Sequence, residues 1–334
     1  MSSNGFRDGS STNGHGTTET LTVPVSCFQW QLDPDVTVGL ALVAATQRLR
    51  SAGLETPRLD GEVLLAHVLG WTRTKLYTYP DRPLDGQERT AFESLVERRF
   101  KHEPIAYLVG TKAFYGLDLM VDRRVLIPRP ETELLVDLAL DLIGQITRQW
   151  ERAGSGNGHG PSRLAERITL ADVGTGSGAI SVAVTANHPS VSAYAIDISQ
   201  EALDVARENA VRLGLADRVE FIHGDLLAQL PQPVDLVIAN LPYVARHEWN
   251  SLAPGIAHFE PSLALSGGAD GLAVIKRLLA QSPKYLRAGG AIILEIGSTQ
   301  GAEVAAFARS LFPDAFVEVM SDYGYHDRVV RVQT

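Results

Sequence analysis

Cysteine is almost absent: Cys27 stands alone in 334 residues. A lone thiol excludes an internal disulfide and a multi-cysteine metal site, and it suits a reducing compartment. Long apolar runs are missing as well. Nothing approaches the ~18 consecutive apolar residues that a membrane-spanning helix needs, and the first 25 residues lack the basic-then-apolar order of a signal peptide. Surplus positive charge is missing too, since 30 Lys and Arg face 39 Asp and Glu for a net charge of −9. The chain therefore has no global attraction toward a phosphate backbone, and nucleic acid is not its default partner. None of the nine histidines has H-E-x-x-H spacing, and HEWN at 247–250 lacks a second ligand, so no metal is expected. These absences lead us to expect a soluble, cytoplasmic protein.

What is present divides along the chain. Residues 1–30 are rich in Ser, Thr, Gly and Asn with few apolar anchors, which predicts a disordered tail. Residues 31–112 carry apolar positions at helical spacing, as in VGLALVAATQRL and DGEVLLAHVLG, with Gly53 and Gly70 as helix stops and Pro57 as a start. A small helical domain is expected there. Residues 113–130 include FYGLDLMVDRRVLIP, whose partial alternation predicts a β-hairpin linker. Residues 131–334 alternate apolar strands (ITLADV, VSAYAID, RVEFIHGD, VDLVIAN, AIILEIG) with amphipathic helices, the order of a parallel α/β sheet covered on both faces. GSGNGHGPS (154–162) reads as a flexible surface insertion.

The chemistry clusters at strand ends. ADVGTGSGAI sets Gly174, Thr175, Gly176, Ser177 and Gly178 directly after a strand and at the start of a helix, where backbone N–H groups can approach a ligand; tight packing alone is the bland alternative. The next strand ends at Asp197, which can accept from both hydroxyls of a ribose, so an adenosine-containing cofactor is expected. G-T-G-S-G brings the third glycine one residue earlier than G-x-G-x-x-G, which weakens a nicotinamide reading. The third strand ends HGD, where Asp225, followed by Leu226, can meet an adenine amino group or cap a helix. The fourth ends at Asn240 and opens NLPY, residues 240–243. One glycine loop and three strand ends thus line the carboxyl edge, where open α/β sheets bind ligands.

HEPIAYLVG (102–110), LIPRPETE (126–133), DVGTGSGAI, AIDIS (195–199), NLPY, EPSLALSGGADGL (260–272) and DYGYHDRVV (322–330) together resemble the S-adenosylmethionine-dependent methyltransferases that modify glutamine N5 in peptide-chain release factors. The resemblance covers roughly residues 35–334. It implies a Rossmann-like, seven-stranded class I methyltransferase core behind an N-terminal helical domain for substrate recognition, S-adenosyl-L-methionine as co-substrate, and the Gly-Gly-Gln loop of class 1 release factors as target. It also implies that Asn240 and the Leu241 carbonyl receive the target amide, with Pro242 holding Leu241 extended and Tyr243 stacking on the amide plane. Gly174–Gly178, Asp197, Asp225, Leu226 and Asn240 would hold the cofactor.

The family usually has proline where this chain has Leu241, and NLPY is similar to the form in ribosomal-RNA adenine dimethyltransferases. N6-adenine methylation of RNA or DNA is therefore the alternative activity, and a non-catalytic cofactor- or partner-binding module a further one. Arg129 and Glu131 can sit beside the cofactor or merely start a helix. Tyr107 and Phe114 can shape a substrate entrance, although packed aromatics are commoner. Glu260 and Pro261 can order a substrate-side lid or serve structure alone.

Overall fold

The computed structural model describes residues 30–154 and 167–334. The expected tail, and the insertion beyond Gly154, lie outside the described residues. Five helices come first: α1 (Val38–Ser51), α2 (Pro57–Leu69), α3 (Arg73–Thr78), α4 (Gly86–Phe100) and α5 (Ile105–Val109). Their ends follow local chemistry. The Asp85 carboxylate accepts from the N–H groups of Gln87 and Glu88 while the Glu88 side chain accepts from the N–H of Asp85, a reciprocal cap on α4. Gly70 takes φ +60° to stop α2. Ala45, Leu49, Leu64, Leu65, Phe92 and Val96 are fully buried. Arg99 on α4 reaches Asp60 on α2 at 2.8 Å.

The hairpin is shorter than expected. β1 (Thr111–Phe114) pairs with β2 (Leu117–Met120) around Tyr115 and Gly116, which both have positive φ, as a two-residue hairpin turn requires. Pairing ends because Asp122 turns the chain, its carboxylate accepting from the N–H and side chain of Arg124, and because Pro128 and Pro130 lack N–H groups. Val121, Val125 and Ile127 instead pack with Tyr107, Ala202 and Val205. That cluster joins the helical part to the sheet part, and Leu32–Thr334 form one compact unit.

After α6 (Glu133–Gly154) come β3 (Ile168–Val173), α7 (Ala179–Asn187), β4 (Val191–Asp197), α8 (Gln200–Arg212), β5 (Val219–His223) and β6 (Val234–Ala239). Then follow α9 (Pro254–Phe259), α10 (Ala273–Tyr285), β7 (Leu286–Glu295), α11 (Gly301–Leu311), β8 (Phe316–Ser321) and β9 (Asp327–Gln333). The seven-stranded sheet has the order β5-β4-β3-β6-β7-β9-β8, parallel except for β9, which is antiparallel to both neighbours. β3 and β6 are buried at every position, and their side chains alternate between two cores. Leu170, Leu236 and Ile238 face the cluster containing α6 and α7, whereas Ala171, Val173, Val237 and Ala239 face the one containing α10 and α11.

One side chain fastens the hairpin to the sheet edge. Asn209 on α8 is fully buried, accepts from the N–H of Met120 at 2.7 Å, and donates to the carbonyls of Met120 and Ser177 at 2.9 Å each. Truncation to alanine strands three backbone groups. We expect Asn209→Ala to cost on the order of 3 kcal/mol in urea unfolding; a loss below about 0.5 kcal/mol would show that water takes over those bonds.

Candidate active site

The glycine loop leaves β3 between two carboxylates. Asp172 is fully buried, and its Oδ2 accepts from the Thr175 hydroxyl at 2.6 Å and the Ser181 N–H at 3.0 Å. Its Oδ1 has no hydrogen-bond partner among the described residues, and burial pushes the carboxyl up to about 6. Asp197, at the end of β4, accepts from the N–H of Gly176 through Oδ2 and of Ser199 through Oδ1, each at 2.9 Å. Burial raises its carboxyl, and the three backbone N–H groups around it oppose that rise. Asp172 thus ties the loop to the first turn of α7, and Asp197 ties its crest to β4.

A cavity of about 210 Å³ opens beside this loop. Gly174, Gly176, Asp197, Asp225, Leu226, Asn240, Leu241 and Pro242 all line it. Four other expected site residues stand on the same two loops. Thr175 and Ser177 are buried, with the Thr175 side chain held on Asp172, Gly178 packs against Ala206, and Tyr243 follows Pro242 on Asn240's loop. Gly176 has φ +55° and open space where a Cβ would stand, so glycine serves both the backbone turn and the room beside Asp197. No helix begins at Asp225; the chain turns there, and its side chain meets Arg277 of α10 at 2.5 Å across the cavity rim. Capping is therefore not its role.

On the other side of β3, Asn240 leaves β6. Its Nδ2 donates to the Thr132 hydroxyl at 3.0 Å, and that hydroxyl donates to Glu295 Oε2 at 2.7 Å. The Tyr243 hydroxyl donates to Glu295 Oε1 at 3.4 Å, and Gln300 holds the Tyr243 carbonyl at 3.0 Å. Burial, with Glu295 second, pushes the Tyr243 phenol up to about 12. The GGADGL segment lies directly against this loop: a Cβ on Gly271 would stand 2.3 Å from the Tyr243 carbonyl oxygen, which explains a glycine there. Leu241 is buried, and its Cδ2 lies 3.0 Å from where a Gly174 Cβ would be, so the two loops touch.

Several flanking candidates make contacts within the fold. Tyr107 is buried with its hydroxyl on the Val125 carbonyl at 2.6 Å, and Phe114 is buried in the main core. Arg129 pairs with the buried Glu260 at 2.5 Å, and Glu260 also accepts from the Ile127 N–H, which joins LIPRPETE to EPSLAL; Glu131 is exposed. Pro261 does line the cavity. Thr132, Glu295, Arg124 and Arg277 belong to the site or its rim although the sequence alone did not single them out. LIPRPETE contains Thr132 and AIILEIG contains Glu295, but their meeting depends on the fold. Among the described residues no group of three or more His, Cys, Asp or Glu can hold a metal, and no helix is long and apolar enough to cross a membrane.

Comparison with known proteins settles the family. Residues 41–110 match the PrmC N-terminal domain and residues 162–255 the methyltransferase small domain. The release factor glutamine methyltransferase of Rhodopirellula baltica is 37% identical over 305 residues, covering 90% of this chain and 97% of that protein. The chain belongs to the release factor glutamine methyltransferase family. Its Caulobacter vibrioides relative of the same name is 36% identical over 296 residues, covering 88% of this chain and 96% of that one. The solved catalytic domain of hMettl16 with the MAT2A 3′UTR hairpin 6 covers 65% of this chain and 76% of its own at 16% identity, with a TM-score of 0.50. That likeness concerns the fold alone. As a member of this family the protein is an S-adenosylmethionine-dependent methyltransferase with a class I core and an N-terminal helical region.

The unpartnered oxygen of Asp172 gives a pH test of the loop. A folded-state carboxyl raised to about 6 binds its proton more tightly than in the unfolded chain, so its contribution to stability is fully present below about pH 4 and lost as pH rises through about 6. An Asp172→Asn variant keeps an oxygen for Thr175 and Ser181 and should lose up to about 3 kcal/mol less than wild type between pH 4 and 7.5. Denaturant melts of both proteins at the two pH values check this, and parallel pH dependence in the two would contradict it.

Proposed function

We propose that this protein transfers a methyl group from S-adenosylmethionine to the side-chain N5 of the glutamine in the Gly-Gly-Gln loop of class 1 peptide-chain release factors. The observation carrying this reading is Asn240, a strand-end amide anchored through Nδ2 and set beside a cavity bounded by Asp197 and the glycine loop. The donor set fits the co-substrate. Carboxylates suit its hydroxyl and amino groups, the open space at Gly176 lets it approach the backbone, and the nearby cations Arg124 and Arg277 are paired with Asp122 and Asp225 rather than left to repel a sulfonium.

In this reading Asp197 holds the ribose hydroxyls, Asp225 the adenine amino group, and Gly174, Gly176 and Leu226 form the wall, while Thr175, Ser177 and Gly178 keep the loop in shape. Bound S-adenosylmethionine supplies an electrophilic methyl group whose bond to sulfur breaks as the new carbon–nitrogen bond forms. The protein's own task is orientation, because an amide nitrogen has its lone pair conjugated into its carbonyl. Asn240 Oδ1 and the Leu241 carbonyl each accept one N–H of the glutamine amide, which fixes the nitrogen with its face toward the methyl group. Pro242 disfavours helical backbone at Leu241 and keeps its carbonyl available. Tyr243 supports the amide plane from a position fixed by Gln300 and Glu295. The nitrogen sheds one proton to solvent once it carries the methyl group. Release factors act in the cytoplasm, so this reading places the protein there, with the helical part contributing recognition remote from the reacting atom.

Mass spectrometry of a purified release factor after incubation with the protein and S-adenosylmethionine tests the reading. One methyl group on the Gly-Gly-Gln glutamine is expected, with Asn240→Ala abolishing transfer. Asp197→Ala should weaken cofactor binding by about tenfold or more in calorimetric titration. Methyl incorporation into ribosomal RNA, with the folded release factor left unmodified, would contradict the reading in favour of N6-adenine methylation.

A further inference from the structure

Three segments far apart in sequence meet behind Asn240. The 3-10 turn Pro130–Thr132 brings Thr132, the end of β7 brings Glu295, and the end of β6 brings Asn240 itself. Thr132 is 3% exposed and Glu295 1% exposed, so neither can exchange these bonds freely for water. A threonine hydroxyl owns one proton and can donate only once. Here that proton goes to Glu295 Oε2 at 2.7 Å. Toward Asn240 the hydroxyl therefore offers only a lone pair, and the Asn240 atom 3.0 Å away has to be the donor, Nδ2.

The two carboxylate oxygens of Glu295 both act as acceptors, Oε2 from Thr132 and Oε1 from Tyr243, which is the arrangement of the ionised form. Burial, the largest influence, raises the Glu295 carboxyl above its usual range and Glu131 adds to the rise, while the Thr132 hydroxyl, Arg328 and the Tyr243 hydroxyl oppose it. An asparagine amide carries a carbonyl and an amino group of nearly equal size, so its rotamer alone does not decide which end faces a substrate. We propose that Thr132 is a positioning residue that, polarised by Glu295, locks the Asn240 amide with Oδ1 toward the target nitrogen.

This rests on the reading of Asn240 given under the proposed function. An unlocked amide presents Nδ2 to a glutamine N–H in part of the population, setting donor against donor where the reaction needs an acceptor. The chemical step then suffers while the co-substrate cavity, which Thr132 does not line, stays intact.

Three variants decide the matter in single-turnover methylation of a release factor, with co-substrate binding measured alongside as proof of folding. Thr132→Val keeps the shape and removes the hydroxyl; its rate should fall by at least about tenfold with co-substrate affinity within about twofold of wild type. Thr132→Ser restores the hydroxyl and should recover most of the rate. Asn240→Ala should be inactive. A Thr132→Val rate near wild type beside an inactive Asn240→Ala overturns the lock alone, and so does a Thr132→Ser rate as low as that of Thr132→Val, which would assign the effect to lost packing. An active Asn240→Ala overturns the underlying reading of the site and the lock with it.

Discussion

Because β4 and β5 add to one side of β3 while β6 and β7 add to the other, the chain leaves β3 and β6 in opposite directions and cannot close the gap between their carboxyl ends. Every functional group discussed above hangs from that gap. The glycine loop and Asp197 stand on one side, Asn240 and its neighbours on the other, and Leu241 bridges them by packing against Gly174. The strands themselves are fixed by burial on both faces, so their ends hold polar groups in place with little freedom. Positioning on rigid strand ends suits a reaction whose difficulty is the orientation of a weak nucleophile.

The charges around the gap are arranged by pairing. Arg124 meets Asp122, Arg129 meets Glu260, and Arg277 meets Asp225. Two buried acids, Asp172 and Glu295, have no such partner among the described residues and are served by hydroxyl groups, with a backbone N–H added at Asp172. Leaving them without direct cationic partners costs stability through desolvation, and in each case the neighbouring hydroxyl gains a fixed donor direction. At Asp172 this directs Thr175 into the loop. At Glu295 it directs Thr132, which in turn accepts from Asn240. Leu241 supplies apolar contact with the glycine loop.

Much of this was legible in the sequence because strand ends announce themselves. An apolar run that stops at Asp197 or Asn240 places that residue at an edge, and helix stops at Gly53 and Gly70 follow from local backbone chemistry. Pairings across the fold were not legible. Thr132 lies 108 residues from Asn240 and 163 from Glu295, and no periodicity connects residues so far apart. The extent of the hairpin was misjudged because the alternation after Met120 serves a buried cluster with α8 rather than a strand pairing. Whether a loop side chain such as that of Ser177 faces the cavity or the core depends on the segment packed against it.

In the proposed function Asn240 receives the reacting amide through Oδ1 at the crevice between β3 and β6. A crystal structure with S-adenosylhomocysteine and a peptide containing Gly-Gly-Gln addresses it most directly. The glutamine nitrogen is expected within hydrogen-bond distance of Asn240 Oδ1 and the Leu241 carbonyl, with the Nδ2 contact to Thr132 retained and the ribose on Asp197. A glutamine seated elsewhere, or meeting Asn240 through Nδ2, would contradict it.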